Sequence, residues 1–134
     1  MPNVTTSIII NEEGEVLLLK RSDKVKTYKG FWCGISGYIE KNELPIETSY
    51  KEIFEETGLS ENDIVLIKSL DPICFYDVYK GNKYYWKVFP FLFKIRKKSK
   101  VQIDWEHTDY GWFKPAEVEK LNTVPRLKDL IQKI

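Results

Sequence analysis

Residues 37–59 read GYIEKNELPIETSYKEIFEETGL. Pro45 suits the first turn of a helix and Gly58 the position just past its end, and Ile46, Tyr50, Ile53 and Thr57 recur at spacings of four, three and four. The spacing predicts a helix over residues 45–57 with one apolar stripe. Glu52, Glu55 and Glu56 stand at i, i+3 and i+4, which stacks three carboxylates on another face of the same cylinder. Like charges at that spacing repel by a few tenths of a kcal/mol per pair, about 0.2–0.5. They also crowd toward the helix C-terminus, where the dipole disfavours anions. A hard divalent cation with oxygen ligands would compensate. A solvated acidic face, partly neutralised by Lys51 four residues from both Glu47 and Glu55, would do so as well.

The wider pattern decides between these. Gly37, Glu43 six positions later, and then Lys51, Glu52, Ile53, Phe54, Glu55, Glu56, Thr57, Gly58 and Leu59 resemble the Nudix box along its full length, with Lys51 where that family normally has arginine. The Phe31–Trp32 approach to the glycine resembles the family too. So, more loosely, does the late Trp105-Glu106-His107 segment followed by Tyr110, Gly111 and Trp112.

The resemblance implies a Nudix fold of class α+β, a mixed β-sheet in an α/β/α sandwich. It also implies a hydrolase that cleaves a pyrophosphate bond in a nucleoside triphosphate or another nucleoside diphosphate derivative, by water attack at phosphorus. Mg²⁺ or Mn²⁺ is the implied cofactor, bound by Glu52, Glu55 and Glu56 with a backbone carbonyl from Gly37, while Glu43 supports the loop-helix geometry. The general base is Glu52 first and Glu106 second, and Glu106 is alternatively an extra metal ligand. Lys51 is a point charge where arginine would offer a planar fork, so it bears on how the catalytic glutamates are oriented. The alternative is a Nudix-fold module, catalytically weak or inactive, that binds a nucleotide or RNA.

Outside the box, Thr5 to Ile10 and Val16 to Lys20 are β-rich runs around Gly14 and predict a hairpin. Arg21 to Gly30 reads as a surface loop and Phe31 to Ser36 as a strand. Ile64 to Ser69, Ile73 to Tyr79 and Tyr84 to Ile95 read as strands, the last two joined around Lys80, Gly81 and Asn82. Pro90 implies a bulge or an edge position. A short strand at Tyr110 to Phe113 and helices near Pro115 to Leu121 and Val124 to Ile134 complete the chain. Helices interrupting a mixed sheet without regular alternation favour an α+β sandwich over a doubly wound sheet.

The 134 residues fit one domain, with 43% apolar and 14% aromatic residues to build its core. Intrinsic disorder is excluded. With 21 Lys+Arg against 20 Asp+Glu, no partner is held mainly by bulk charge. No apolar run is long enough for a membrane span, and the N-terminus does not read as a secretory signal, so a cytoplasmic protein is expected. Cys33 and Cys74 form no motif and read as buried free thiols. The single histidine, His107, rules out a histidine-based zinc site, and no serine sits in a nucleophile elbow.

For the substrate, Lys20 and Arg21 leave the second strand where they could reach a polyphosphate. Tyr28, Phe75, Trp86 and the neighbouring tyrosines 76, 79, 84 and 85 could stack on a nucleobase. The alternation of Tyr84, Trp86 and Val88 against Tyr85, Lys87 and Phe89 places one set inward and leaves open which. Arg96, Lys97, Lys98 and Lys100 form a basic stretch read as a solvated turn, which makes nucleic acid an improbable partner. A small nucleotide is the expected partner, and monomer and homodimer stay open.

Overall fold

The computed structural model describes residues 2–97 and 100–134. Lys98, in the basic stretch, lies outside the described residues. Strands whose consecutive residues are mostly buried build the centre of the molecule: β1 (Asn3–Ile10), which also buries Thr5 and Ser7, β2 (Val16–Arg21) and the distal half of β7 (Asn82–Ile95). Strands of that kind are buried on both faces. Ile9, Leu17, Leu19, Phe91 and Phe93 point to one side and pack with Ile53 of α1 (Pro45–Thr57). Ile8, Val16, Leu18 and Leu92 point to the other side. There they meet Val118 of α2 (Pro115–Val118) and Leu127, Leu130 and Ile131 of α3 (Leu127–Gln132). The result is the expected helix-sheet-helix sandwich of the α+β class.

Among the described residues the sheet has eight strands. The others are β3 (Trp32–Cys33), β4 (Ile35–Tyr38), β5 (Ile64–Ser69), β6 (Ile73–Tyr79) and β8 (His107–Phe113). The main path runs β3-β2-β1-β7-β5, with β4 on β1, β6 on β7 and β8 on β2. β1 and β7 run parallel, from Asn3 beside Lys87 to Ile10 beside Lys94.

Several expectations need correction. β1 and β2 form a hairpin only at its closed end, where Ile10 pairs with Val16. Beyond it, β1 pairs with β4 through Val4–Ser7 and β2 pairs with β3 through Leu19 and Lys20, while β8 runs along the other edge of β2 from Val16 to Arg21. The single strand expected over residues 31–36 is two, and Gly34 between them lies against β1: a Cβ there would stand 3.1 Å from Ile8 Cδ1 and 3.2 Å from Ser7 O.

Pro90 is neither at an edge nor in a bulge of its own strand. Lys87 N donates to Pro2 O, so odd-numbered residues of β7 face β1, and Pro90 turns its main chain away from β1, its carbonyl accepting from Leu70 N. Its missing donor falls where the neighbour changes from β5, ending at Ser69 beside Phe91, to β6, starting at Ile73 beside Val88. The register shift lies instead on β5, between Leu66 and Lys68.

The terminal helices are shorter than predicted; α3 starts only after Pro125 and a left-handed Arg126 (φ 72°). Cys33 is buried and Cys74 is exposed, against the expectation for the latter. Among the described residues no helix is long and apolar enough to cross a membrane.

Candidate active site

α1 begins with Pro45 and ends at a left-handed Gly58 (φ 77°), whose N–H bonds to Phe54 O. Between these caps the three glutamates take different depths. Glu55 is exposed, Glu52 is half-buried, and Glu56 is only 3% exposed. Glu56 Oε2 is buried without a hydrogen-bond partner, and Oε1 stands 3.7 Å from His107 Nε2. Burial pushes the Glu56 carboxyl well above its ordinary range, and the neighbouring Glu52 adds to the shift. Burial also raises Glu52, although its hydrogen bond with Glu56 works the other way. Glu56 therefore keeps the proton of the pair. Gly37 on β4 is the floor beneath Glu52: a Cβ there would overlap the Glu52 Cγ and Cδ atoms.

A second layer stands behind Glu56. His107 Nδ1 is 2.7 Å from Asp104 Oδ1, and the side chain is 3% exposed. Burial lowers the His107 pKa, which Asp104 partly opposes. Cys33 Sγ lies 3.7 Å from His107 Nε2, and burial pushes the Cys33 thiol up to about 12. Glu106, one residue before β8, is raised by burial and then by Asp104, with Arg21 pulling the other way. Trp105 beside it is exposed.

Lys51 does not reach into this cluster. Its Nζ donates to Glu43 Oε2 at 2.8 Å, and Glu43 Oε1 accepts from Glu40 N at 3.0 Å and Thr48 Oγ1 at 2.9 Å. Glu43 thus ties the loop after β4 to the first turns of α1, and the Lys51 bond holds its carboxyl below the usual range.

Glu52, Glu55, Gly37, Glu106 and Arg21 line one cavity of about 440 Å³, within the range of small-molecule sites. Tyr28, Phe75 and Trp86 line it too, so the inward set on β7 is Trp86 and Val88, while Tyr76 and Tyr85 stack on the exposed face. Lys20 is not part of the cavity wall. Arg21 is oriented by its own loop, Nε donating to Thr27 O at 2.9 Å. Asp77 on β6 also lines the cavity and was not singled out from the sequence. Aspartate is depleted in strands, so Asp77 stands out in an aromatic and β-branched run, but the run alone does not show that this register faces the cavity.

The arrangement can hold a hard cation. Its donors are carboxylate oxygens: Glu52 over Gly37, Glu55 and Glu106 in the same cavity wall, and Glu56 buried against Glu52. Among the described residues no three His, Cys, Asp or Glu side chains already converge on one point. The residues fit the group by donor chemistry.

A mixed sheet between helix layers, with an acid-bearing helix opening on a nucleotide-sized cavity, defines the class of fold as that of the Nudix proteins. A family model described as NUDIX domain matches residues 1–134, and the chain belongs to this family as a Nudix hydrolase. It is 24% identical to an RNA pyrophosphohydrolase of Pelagibacter ubique over 85% of this chain and 75% of the relative. It is 27% identical to a dihydroneopterin triphosphate diphosphatase of Haemophilus influenzae over 98% and 85% of the two chains. The solved dihydroneopterin triphosphate pyrophosphohydrolase of E. coli superposes with a TM-score of 0.82 at 18% identity, over 98% of this chain and 93% of that one, a likeness of fold.

Proposed function

We propose that this hydrolase cleaves a pyrophosphate bond in a nucleoside triphosphate or a related nucleoside diphosphate derivative, by attack of water at phosphorus. The observation that carries the reading is the single cavity lined by Glu52, Glu55, Glu106, Gly37 and Arg21 together with Tyr28, Phe75 and Trp86, which sets acids and a guanidinium beside aromatic rings. The activities of the relatives, an RNA pyrophosphohydrolase and a dihydroneopterin triphosphate diphosphatase, support the same reaction class.

Glu52, Glu55 and Glu56, with Gly37 and Glu106, would hold Mg²⁺ or Mn²⁺. When bound, such a cation supplies charge to neutralise phosphate oxygens and to acidify the attacking water. The chain's own residues do the rest. Glu52, half-buried over Gly37, is the first candidate to take the proton from water, and Glu106 across the cavity is the second. Arg21 faces the polyphosphate as a fixed fork. Tyr28, Phe75 and Trp86 offer rings to the base. Lys51 acts through Glu43 and contacts no reacting atom.

The test is release of phosphate or pyrophosphate from a nucleotide panel with Mg²⁺, Mn²⁺ or EDTA. Turnover with metal and none in EDTA is the expected result, and Glu55→Gln should lower kcat by about 100-fold or more. Binding of nucleotides with no turnover under either metal would establish the binding-module alternative instead.

A further inference from the structure

We infer that the cavity selects a base whose edge carries a ring N–H beside an exocyclic amino group, as guanine and 2-amino-4-oxopteridine do, and that Asp77 is the residue that selects it. This rests on the hydrolase reading above and narrows its substrate class.

Asp77 lies on β6 opposite Tyr84 of β7, with its side chain in the cavity wall two residues beyond Phe75, which pairs with Trp86. Two donors fix it: the Tyr28 hydroxyl to Oδ2, and the Trp86 indole N–H to Oδ1 at 3.3 Å. Burial and the Asp77 bond raise the Tyr28 pKa, so the phenol keeps its proton. A carboxylate oxygen has two acceptor directions, so each Asp77 oxygen keeps capacity for one more donor. No Lys or Arg among the described residues forms an ion pair with Asp77.

The ring donors beside it are already engaged, so this part of the wall offers acceptors and aromatic faces. Arg126 lies over Phe75, its guanidinium carbon 5.3 Å from the ring centre, and closes the aromatic side.

Two adjacent N–H donors complement the paired acceptors, as a guanidinium complements a carboxylate. Adenine and cytosine place a ring lone pair next to their amino group, and uracil sets carbonyls on both sides of its N–H. Each would face an Asp77 oxygen with another acceptor. Such a bidentate contact discriminates by about 10- to 100-fold.

The test uses the full chain with Mg²⁺ and compares GTP, ITP, ATP, CTP, UTP and dihydroneopterin triphosphate. The expected kcat/KM for GTP or the pterin triphosphate exceeds that for ITP, which lacks only the amino group, by about tenfold or more, and that for ATP by at least as much. Whichever of the two favoured compounds is turned over faster identifies the source of the edge. In Asp77→Asn, which presents one donor and one acceptor, the GTP-to-ATP ratio should fall toward unity; a ratio is insensitive to the folded fraction of the sample. Calorimetric titration of the wild-type chain with GMP, IMP and AMP in EDTA reads the preference without turnover.

Equal affinity for the three monophosphates, or an unchanged ratio in Asp77→Asn, would overturn the inference and reduce Asp77 to a brace between β6 and the loop carrying Tyr28. Preferential GMP binding with no triphosphate hydrolysed would overturn the hydrolase reading alone.

Discussion

Gly37 has no side chain, and Glu52 occupies the place where one would be. Gly37→Ala sets a methyl group into the Glu52 carboxyl, and the neighbour that must move is on the helix bearing all three acids. The expected outcome is a helix retained by circular dichroism, with calorimetric Mg²⁺ affinity lowered by about 10-fold or more, in line with losses from misplaced ligands. The acids themselves were legible in the sequence because i, i+3, i+4 spacing fixes a face regardless of context. Their differing depth was not legible, since Glu56 lies against His107, which comes far along the chain and is itself held by Asp104. Asp77 and Cys74 show the same limit. Which side of a two-residue alternation faces the cavity depends on the neighbouring strands, and residues 73–79 carry no polar pattern strong enough to settle it.

At the scale of elements, α1 was readable from its Pro45 and Gly58 ends and its stripe, all of them local signals. The break between β3 and β4 was not, because its cause is the approach of Ile8 and Ser7 to Gly34. The β6–β7 turn is more instructive. Tyr79 pairs with Asn82, leaving Lys80 (φ 50°) and Gly81 (φ 83°) as a two-residue turn with both positions left-handed. Asparagine followed by glycine is the preferred pair for that geometry, and lysine takes it at a cost. Lys80→Asn should therefore raise stability by about 0.5–1 kcal/mol, measured by urea denaturation at unchanged m. An unchanged or lower midpoint would remove the turn as a site of strain. The same hairpin carries Phe75, Asp77 and Trp86, so its geometry sets the aromatic wall.

For the whole molecule, Glu56 couples folding to pH and metal. Its folded pKa lies well above its ordinary value, and Glu52 and Glu106 move the same way. Above the ordinary carboxylate pKa the unfolded chain has released these protons and the folded chain has not, so stability falls as pH rises through the interval between the two values. In EDTA, Tm should decline as pH rises above the ordinary carboxylate range, set against a rise contributed by His107, whose lowered pKa makes the folded chain bind fewer protons than the unfolded one. Glu56→Gln should flatten that decline, and excess Mg²⁺ should raise the wild-type Tm most at the alkaline end, where the acids are free to bind it. A wild-type Tm independent of pH in EDTA would refute this coupling.

The parting of β1 from β2 beyond Ile10 and Val16 has its own consequence. One leaf, with β1 and β4, carries the helix of Glu52 and Glu55; the other, with β2 and β8, carries Arg21 and adjoins Glu106. On the proposed reading, a polyphosphate held by both leaves would rivet a seam that the β1–β2 ladder closes only at Ile10 and Val16.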